Sequence, residues 1–162
     1  MDKKPSLANP NAPKVIITAG LVAGTLDISA AFTQFYIKTG KNPLIILKYI
    51  ASGAFGPTAR SGGTGAMVWG LVFHYMIAFG ATLFFFWIYP RLKFLSVNRW
   101  VTAIVYGIFI WAVTNLVIVP LSLIHKFPSS FSQSLIAALI LIVAIGLPLS
   151  FIIGNYYDRG EE

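Results

Sequence analysis

An apolar stretch of 23 residues decides the fold, and it reads VIITAGLVAGTLDISAAFTQFYI from Val15 to Ile37. About 20 apolar residues are enough for an α-helix to cross the hydrocarbon core of a bilayer. Three more apolar stretches of similar length follow, at about 66–89, 100–120 and 131–154. The sequence therefore predicts an all-α integral membrane protein built as a bundle of four transmembrane helices.

The composition of the chain agrees with this prediction. Of its 162 residues, 57% are hydrophobic and 10% are charged, and the mean hydropathy is +0.77. A soluble domain typically has about 25% charged residues. The chain has no cysteine, which excludes disulfides, thiolate nucleophiles and zinc–thiolate sites. The net charge of +7 comes from basic residues beside apolar stretches, a pattern typical of membrane proteins and not of nucleic-acid-binding proteins.

The segments outside the predicted spans are short. Residues 1–14 are polar and contain three prolines, so we expect a disordered tail, followed by a single transmembrane domain over 15–157 and a polar tail over 158–162. Residues 43–55 predict a short interfacial or re-entrant helix, because this segment is under about 20 Å long as a helix and too short to cross. A cleavable signal peptide is the competing interpretation of the first span. The apolar stretch continues past Ser29, Ala30 and Ala31, which favours a retained helix.

The basic residues predict an orientation. Four spans place both termini on one side of the membrane, and the opposite side is called the non-terminal face below. The terminal side carries seven basic residues, Lys3, Lys4, Lys14, Arg91, Lys93, Arg99 and Arg159. The non-terminal face carries five, Lys38, Lys41, Lys48, Arg60 and Lys126. Because cytoplasmic loops carry the excess of Lys and Arg, this bias predicts cytoplasmic termini.

Asp27 is the most informative residue of the first span. It is the only acidic residue between residues 3 and 157, and it lies within one residue of the midpoint of the span. An ionised carboxylate at this depth costs at least a few kcal/mol. We therefore expect Asp27 to face the bundle interior, with a partner, a water-filled cavity or a bound proton. Residues on its helix face recur at steps of three and four: Gly20, Ala23, Gly24, Ala30, Ala31 and Gln34.

Other spans carry polar side chains at a similar depth. His74 lies on a small-residue stripe of the second span, and Asn115 and Thr114 lie on the third. At about 1.5 Å of rise per residue, His74, Asn115 and Gln34 all lie within roughly 12 Å of the level of Asp27, toward the non-terminal face. The candidates for a proton or solute pathway are thus Asp27, His74, Asn115, Gln34 and Thr114. The candidates for close helix packing are Gly20, Gly24, Gly70 and Gly107.

Two interpretations of these residues are open. Asp27 and His74 could share a proton on a permeation route for protons or a small solute. They could instead hydrogen-bond only to lock the helices of a non-transporting accessory or scaffold protein. The glycine-rich loop from Gly56 to Gly65 is either a flexible connector or an anion site that uses Arg60.

The same residues set the expectations for partners and cofactors. One Asp and one His are too few ligands for a metal, and no catalytic set is present, so we expect neither an enzyme nor a metal nor another cofactor. The expected partners are the lipid bilayer, an unidentified solute or proton, and no nucleic acid. The small-residue stripes could equally drive homo-oligomerisation.

The stretch from Gly70 to Ser122 resembles the YagU-like family of small bacterial inner-membrane proteins. The resemblance is carried by Gly70, His74 and Phe79, by Tyr89-Pro90-Arg91-Leu92-Lys93, by Gly107, and by Asn115 with Val119-Pro120-Leu121. It implies a helical protein of the bacterial inner (plasma) membrane. The family offers no catalytic residues to carry over.

Overall fold

The computed structural model describes residues 11–91 and 98–158, and these residues form helices with no β-strand among them. The five helices are α1 (Ala12–Thr39), α2 (Ile45–Phe55), α3 (Thr64–Ile88), α4 (Arg99–Leu121) and α5 (Phe131–Asp158). Helices α1, α3, α4 and α5 are long and apolar enough to cross a membrane, and α2 is the short additional helix. The predicted all-α bundle with four transmembrane helices is confirmed, and the chain is a membrane protein.

The helix ends differ from the predicted boundaries. Helix α1 begins at Ala12, so the prediction of a disordered tail is wrong for residues 12–14, and residues 1–10 lie outside the described part. Pro13 suits the first turn, where a backbone N–H has no helical partner, and Ala12 is fully buried. At the other end, Asp158 belongs to α5 and not to a tail, and residues 159–162 lie outside the described part.

The half of the bundle beside the chain termini is filled by large side chains. Phe85 and Phe86 of α3 pack with Tyr106 of α4 and Tyr157 of α5, and all four are buried. The Tyr106 hydroxyl donates to the Ala81 carbonyl at 2.6 Å, and the Tyr157 hydroxyl donates to the Phe86 carbonyl at 2.9 Å. A buried tyrosine needs such a partner for its polar end. These contacts close the terminal half of the bundle.

Glycines set the spacing between neighbouring helices. A Cβ atom on Gly70 would lie 1.9 Å from the Leu47 carbonyl oxygen of α2, and one on Gly107 would lie 2.5 Å from the Ile142 Cα of α5. On α1, Gly20 and Gly24 pack in the same way against the aromatic rings of Phe79 and Tyr75. All four glycines proposed for helix packing therefore lie at close helix contacts. Gly146 is a fifth such position, with the Ala103 carbonyl 2.1 Å from where its Cβ would be.

Helices α4 and α5 each contain a π-helical segment, at Val113–Ile118 and at Ile142–Gly146. Each segment ends two residues before a proline, Pro120 or Pro148. Proline cannot donate to the carbonyl four residues earlier, which disturbs the preceding turn of helix. Both π segments lie beside the cavities described next, and such segments are frequent at functional sites.

Candidate functional site

His74 joins α3 to α1. Its ring is buried, and its Nε2 atom lies 2.8 Å from the Gly24 carbonyl oxygen. A backbone carbonyl can only accept, so Nε2 carries a hydrogen and donates it. The absence of a side chain on Gly24 permits this approach, because a Cβ there would lie 2.8 Å from the Tyr75 ring. The hydrogen bond leaves Nδ1 as the ring nitrogen that can gain or lose a proton.

Asp27 lies one turn further along α1 and faces that second nitrogen. Its Oδ2 atom is 4.0 Å from His74 Nδ1, and its side chain is 23% exposed. This separation exceeds the usual hydrogen-bond distance of about 2.7–3.2 Å. The structure therefore brings the carboxylate and the imidazole close together without a direct hydrogen bond between them.

The pair lies in the wall of a cavity of about 400 Å³, which we call the inner cavity. All five helices contribute to it, and its walls are mostly apolar, with Ile28, Ile50 and Ile110 among them. Thr114, in the π segment of α4, adds a hydroxyl to the same cavity. The inner cavity thus has a mostly apolar wall that includes the pair of Asp27 and His74.

A second cavity of about 430 Å³, the outer cavity, adjoins the first. The two share three lining residues, Ala31, Ile46 and Tyr49. The outer cavity lies where α1 ends and α5 begins, which is the non-terminal side of the bundle. Its lining is far more polar and includes Gln34, Lys38, Asn115, Lys126, Gln133 and Ser134.

The five pathway candidates therefore divide between two cavities. Asp27, His74 and Thr114 line the inner cavity, and Gln34 and Asn115 line the outer one. Asn115 does not reach the carboxylate, because its amide donates to the Trp111 carbonyl of its own helix at 3.0 Å. The candidates for one pathway therefore lie in two polar regions that follow one another along the bundle.

Two basic residues of the outer cavity, Lys38 and Lys126, were not among the predicted site residues. Lys38 could have been found, because it follows Gln34 by four residues and continues the helix face of Asp27 and Ala31. Lys126 has no such signal, since its position depends on the path of the loop after α4. The Leu123 N–H donates to the Gly53 carbonyl of α2 at 2.9 Å and fixes that path.

Arg60 supports α2. Its Nε donates to the Ser52 hydroxyl at 3.2 Å, and its guanidinium carbon lies 5.4 Å from the centre of the Tyr49 ring. A guanidinium within about 6 Å of an aromatic ring is attracted to its face. Arg60 therefore braces Tyr49, a wall residue of both cavities, from outside.

Comparison with known proteins returns no match to a family model, a curated protein or a solved structure. In the described ranges 11–91 and 98–158, no three His, Asp or Glu side chains are grouped so that they could hold a metal ion. Of the residues that carry the YagU-like resemblance, His74, Asn115 and Val119 line the two cavities, and Leu92 and Lys93 lie outside the described residues.

Proposed function

We propose that this protein mediates the permeation of protons or a small solute across the bacterial inner membrane, with Asp27 and His74 as the gate. The observation that carries the proposal is that the two cavities lie side by side and share Ala31, Ile46 and Tyr49 in their walls. The polar outer cavity lies on the non-terminal side, so we infer that the titratable pair is approached from that face. With cytoplasmic termini, that approach opens away from the cytoplasm.

The chemistry of the gate follows from its hydrogen bonds. His74 donates from Nε2 to Gly24, so the exchangeable proton belongs to Nδ1 or to the Asp27 carboxylate, whose oxygen is 4.0 Å away. A shift of about 1 Å brings the two groups into hydrogen-bond range, and a water molecule beside the pair can link them without such a shift. Permeation then also requires the packed terminal half, with Phe85 and Tyr106, to open or to pass protons.

A second candidate function is favoured by the hydrogen bond between His74 and Gly24. A bond of this kind between transmembrane helices contributes about 0.6 kcal/mol on average. In a non-transporting accessory or scaffold protein, this contribution to packing is the whole role of His74. The small-residue stripes of such a protein could also support homo-oligomers. Neither candidate function is enzymatic.

Flux measurements in liposomes separate the two functions. The purified protein is reconstituted with a pH-sensitive dye inside the vesicles, a pH gradient is imposed, and internal pH is followed. We expect flux for the natural protein and at least a tenfold loss for Asp27→Asn, which removes the titrating group but keeps its shape. Asp158→Asn is the matched control, because Asp158 is exposed, pairs with Arg99 and lines neither cavity.

The outcomes are distinct once circular dichroism shows that the variants fold alike. Absence of flux in the natural protein would overturn the permeation proposal and leave the scaffold function. Flux that Asp27→Asn leaves unchanged would keep permeation and remove Asp27 from its mechanism.

A further inference from the structure

The outer cavity has the charge of an anion site. Lys38 and Lys126 line it, both are exposed, and no Asp or Glu is among its described lining residues. In the described part of the chain, neither lysine has a carboxylate within ion-pair distance. The amide groups of Gln34 and Gln133 lie in the same lining. These residues suit a negatively charged group that also accepts hydrogen bonds.

The inner cavity has the character of a site for an alkyl chain. Its wall includes Met76 and Ile77, which are 63% and 37% exposed on the outer surface of the bundle. That surface faces lipid in a membrane-spanning protein, so an apolar chain can enter between the helices from the side. Both cavities also have volumes in the range of about 300–1,000 Å³ that is typical of ligand pockets.

The two cavities follow one another along α1 with a common wall, an arrangement that suits one elongated molecule. Lys38 follows Asp27 by eleven residues on α1, which is a rise of about 16 Å. The wall shared by the cavities, at Ala31, lies between these two positions on the same helix. A ligand anchored at Lys38 therefore extends past Ala31 toward the Asp27–His74 pair.

We propose that the two cavities together bind an amphipathic anion, with its charged head group between Lys38 and Lys126 and its alkyl chain in the inner cavity. Either a free fatty acid or an anionic membrane lipid has this chemistry. The inference concerns binding and holds whether or not the bound molecule crosses the membrane.

Trp111 provides the readout, because it lines the outer cavity while Trp69, Trp87 and Trp100 are exposed on the surface. Replacing those three by Phe leaves one tryptophan at the site. In detergent micelles we expect 2-bromododecanoate, which carries its heavy-atom quencher beside the head group, to quench Trp111 saturably. Unlabelled dodecanoate should reverse the quenching, and dodecyltrimethylammonium should not.

Charge-matched variants identify the site. Lys38→Gln with Lys126→Gln should weaken binding at least tenfold, whereas Lys14→Gln with Lys41→Gln should change it less than twofold. The control pair removes the same charge, and neither Lys14 nor Lys41 lines the inner or the outer cavity. Referred to its free concentration in water, the competing acid should bind about fourfold more weakly per methylene removed, as expected for burial of an alkyl chain. Partitioning of the acid into micelles affects both pairs of lysine variants equally, so it cannot produce a difference in binding between them.

Further competition experiments identify the source of the ligand and test the inference. Competition by phosphatidylglycerol as well as dodecanoate supports a membrane lipid, and competition by dodecanoate alone supports a free acid. Quenching without saturation, equal competition by the cationic analogue, or equal binding by the two lysine variants would overturn the inference. Binding is measured without a membrane, so its loss and a loss of flux are separate results.

Discussion

Replacing Gly70 by Ala tests the contact that holds α2 against α3. The new Cβ would lie 1.9 Å from the Leu47 carbonyl oxygen, whereas real Cβ contacts are essentially never shorter than 3.0 Å. Because the atom in the way is backbone, α2 must move by roughly 1 Å, and overpacking of this kind costs about 1–3 kcal/mol. We therefore expect Gly70→Ala to destabilise the protein and to displace Ile46 and Tyr49, which form the wall shared by the cavities.

Gly80 provides the matched control on the same helix. No atom lies within 4 Å of the position of its Cβ, so Gly80→Ala gains about 1 kcal/mol of helix propensity without a clash. Gly70→Ala gains the same propensity, so the free energies of unfolding of the two variants should differ by the overpacking cost alone, about 1–3 kcal/mol. Unfolding in mixed micelles titrated with SDS and followed by circular dichroism measures this difference. Equal stability of the two variants, or a more stable Gly70→Ala protein, would refute the packing argument.

Three further predictions follow from the same structure. Asp27→Asn, for which we expect at least a tenfold loss of flux, should leave the stability in SDS titration unchanged or raise it, because an ionisable group is removed from an apolar cavity. A loss of stability above about 2 kcal/mol would contradict this. His74→Phe keeps a ring but loses the donor to Gly24, so the same titration should show a free energy of unfolding lower by about 0.5–1.5 kcal/mol. An unchanged free energy of unfolding would mean that this hydrogen bond contributes nothing to stability. Tyr106→Phe should lower the free energy of unfolding by a similar amount, because it loses the hydrogen bond to the Ala81 carbonyl. Tyr36→Phe, at an exposed position, should leave the stability unchanged. Equal effects of the two substitutions would contradict the role of the buried hydroxyl.

The fold could be predicted because it depends on local properties of the sequence. A long apolar stretch must satisfy its own backbone hydrogen bonds in a bilayer, so each such stretch predicts a helix. The pairing of Asp27 with His74 could also be predicted, since helix periodicity gives the face of a residue and its position in the span gives its depth. Face and depth can both be assigned without knowing how the helices cross.

The cavities could not be predicted in this way. Their shapes depend on where α2 crosses α3 at Gly70, on the π segments of α4 and α5, and on the loop that carries Lys126. None of these features has a periodic signal, because each arises from contacts between distant parts of the chain. The predicted start of α1, Val15, lies three residues after the observed start at Ala12 for a related reason. Burial of Ala12 against the bundle stabilises the first turn.

The most direct test of the central claim is the accessibility of the shared wall from the non-terminal face. The chain has no cysteine, so single cysteines can be introduced without removing any. Ala31→Cys lies in the wall of both cavities, and Ala23→Cys is a control on the same helix at a buried position that lines neither. Ser129→Cys, at an exposed position in the loop before α5, marks the non-terminal face.

In sealed vesicles, a membrane-impermeant maleimide should modify Ala31→Cys from the same face as Ser129→Cys, while Ala23→Cys stays unmodified. Failure of the reagent to reach Ala31→Cys from that face, or its modification from the face that carries the termini, would contradict a route to Asp27 and His74 that opens on one side.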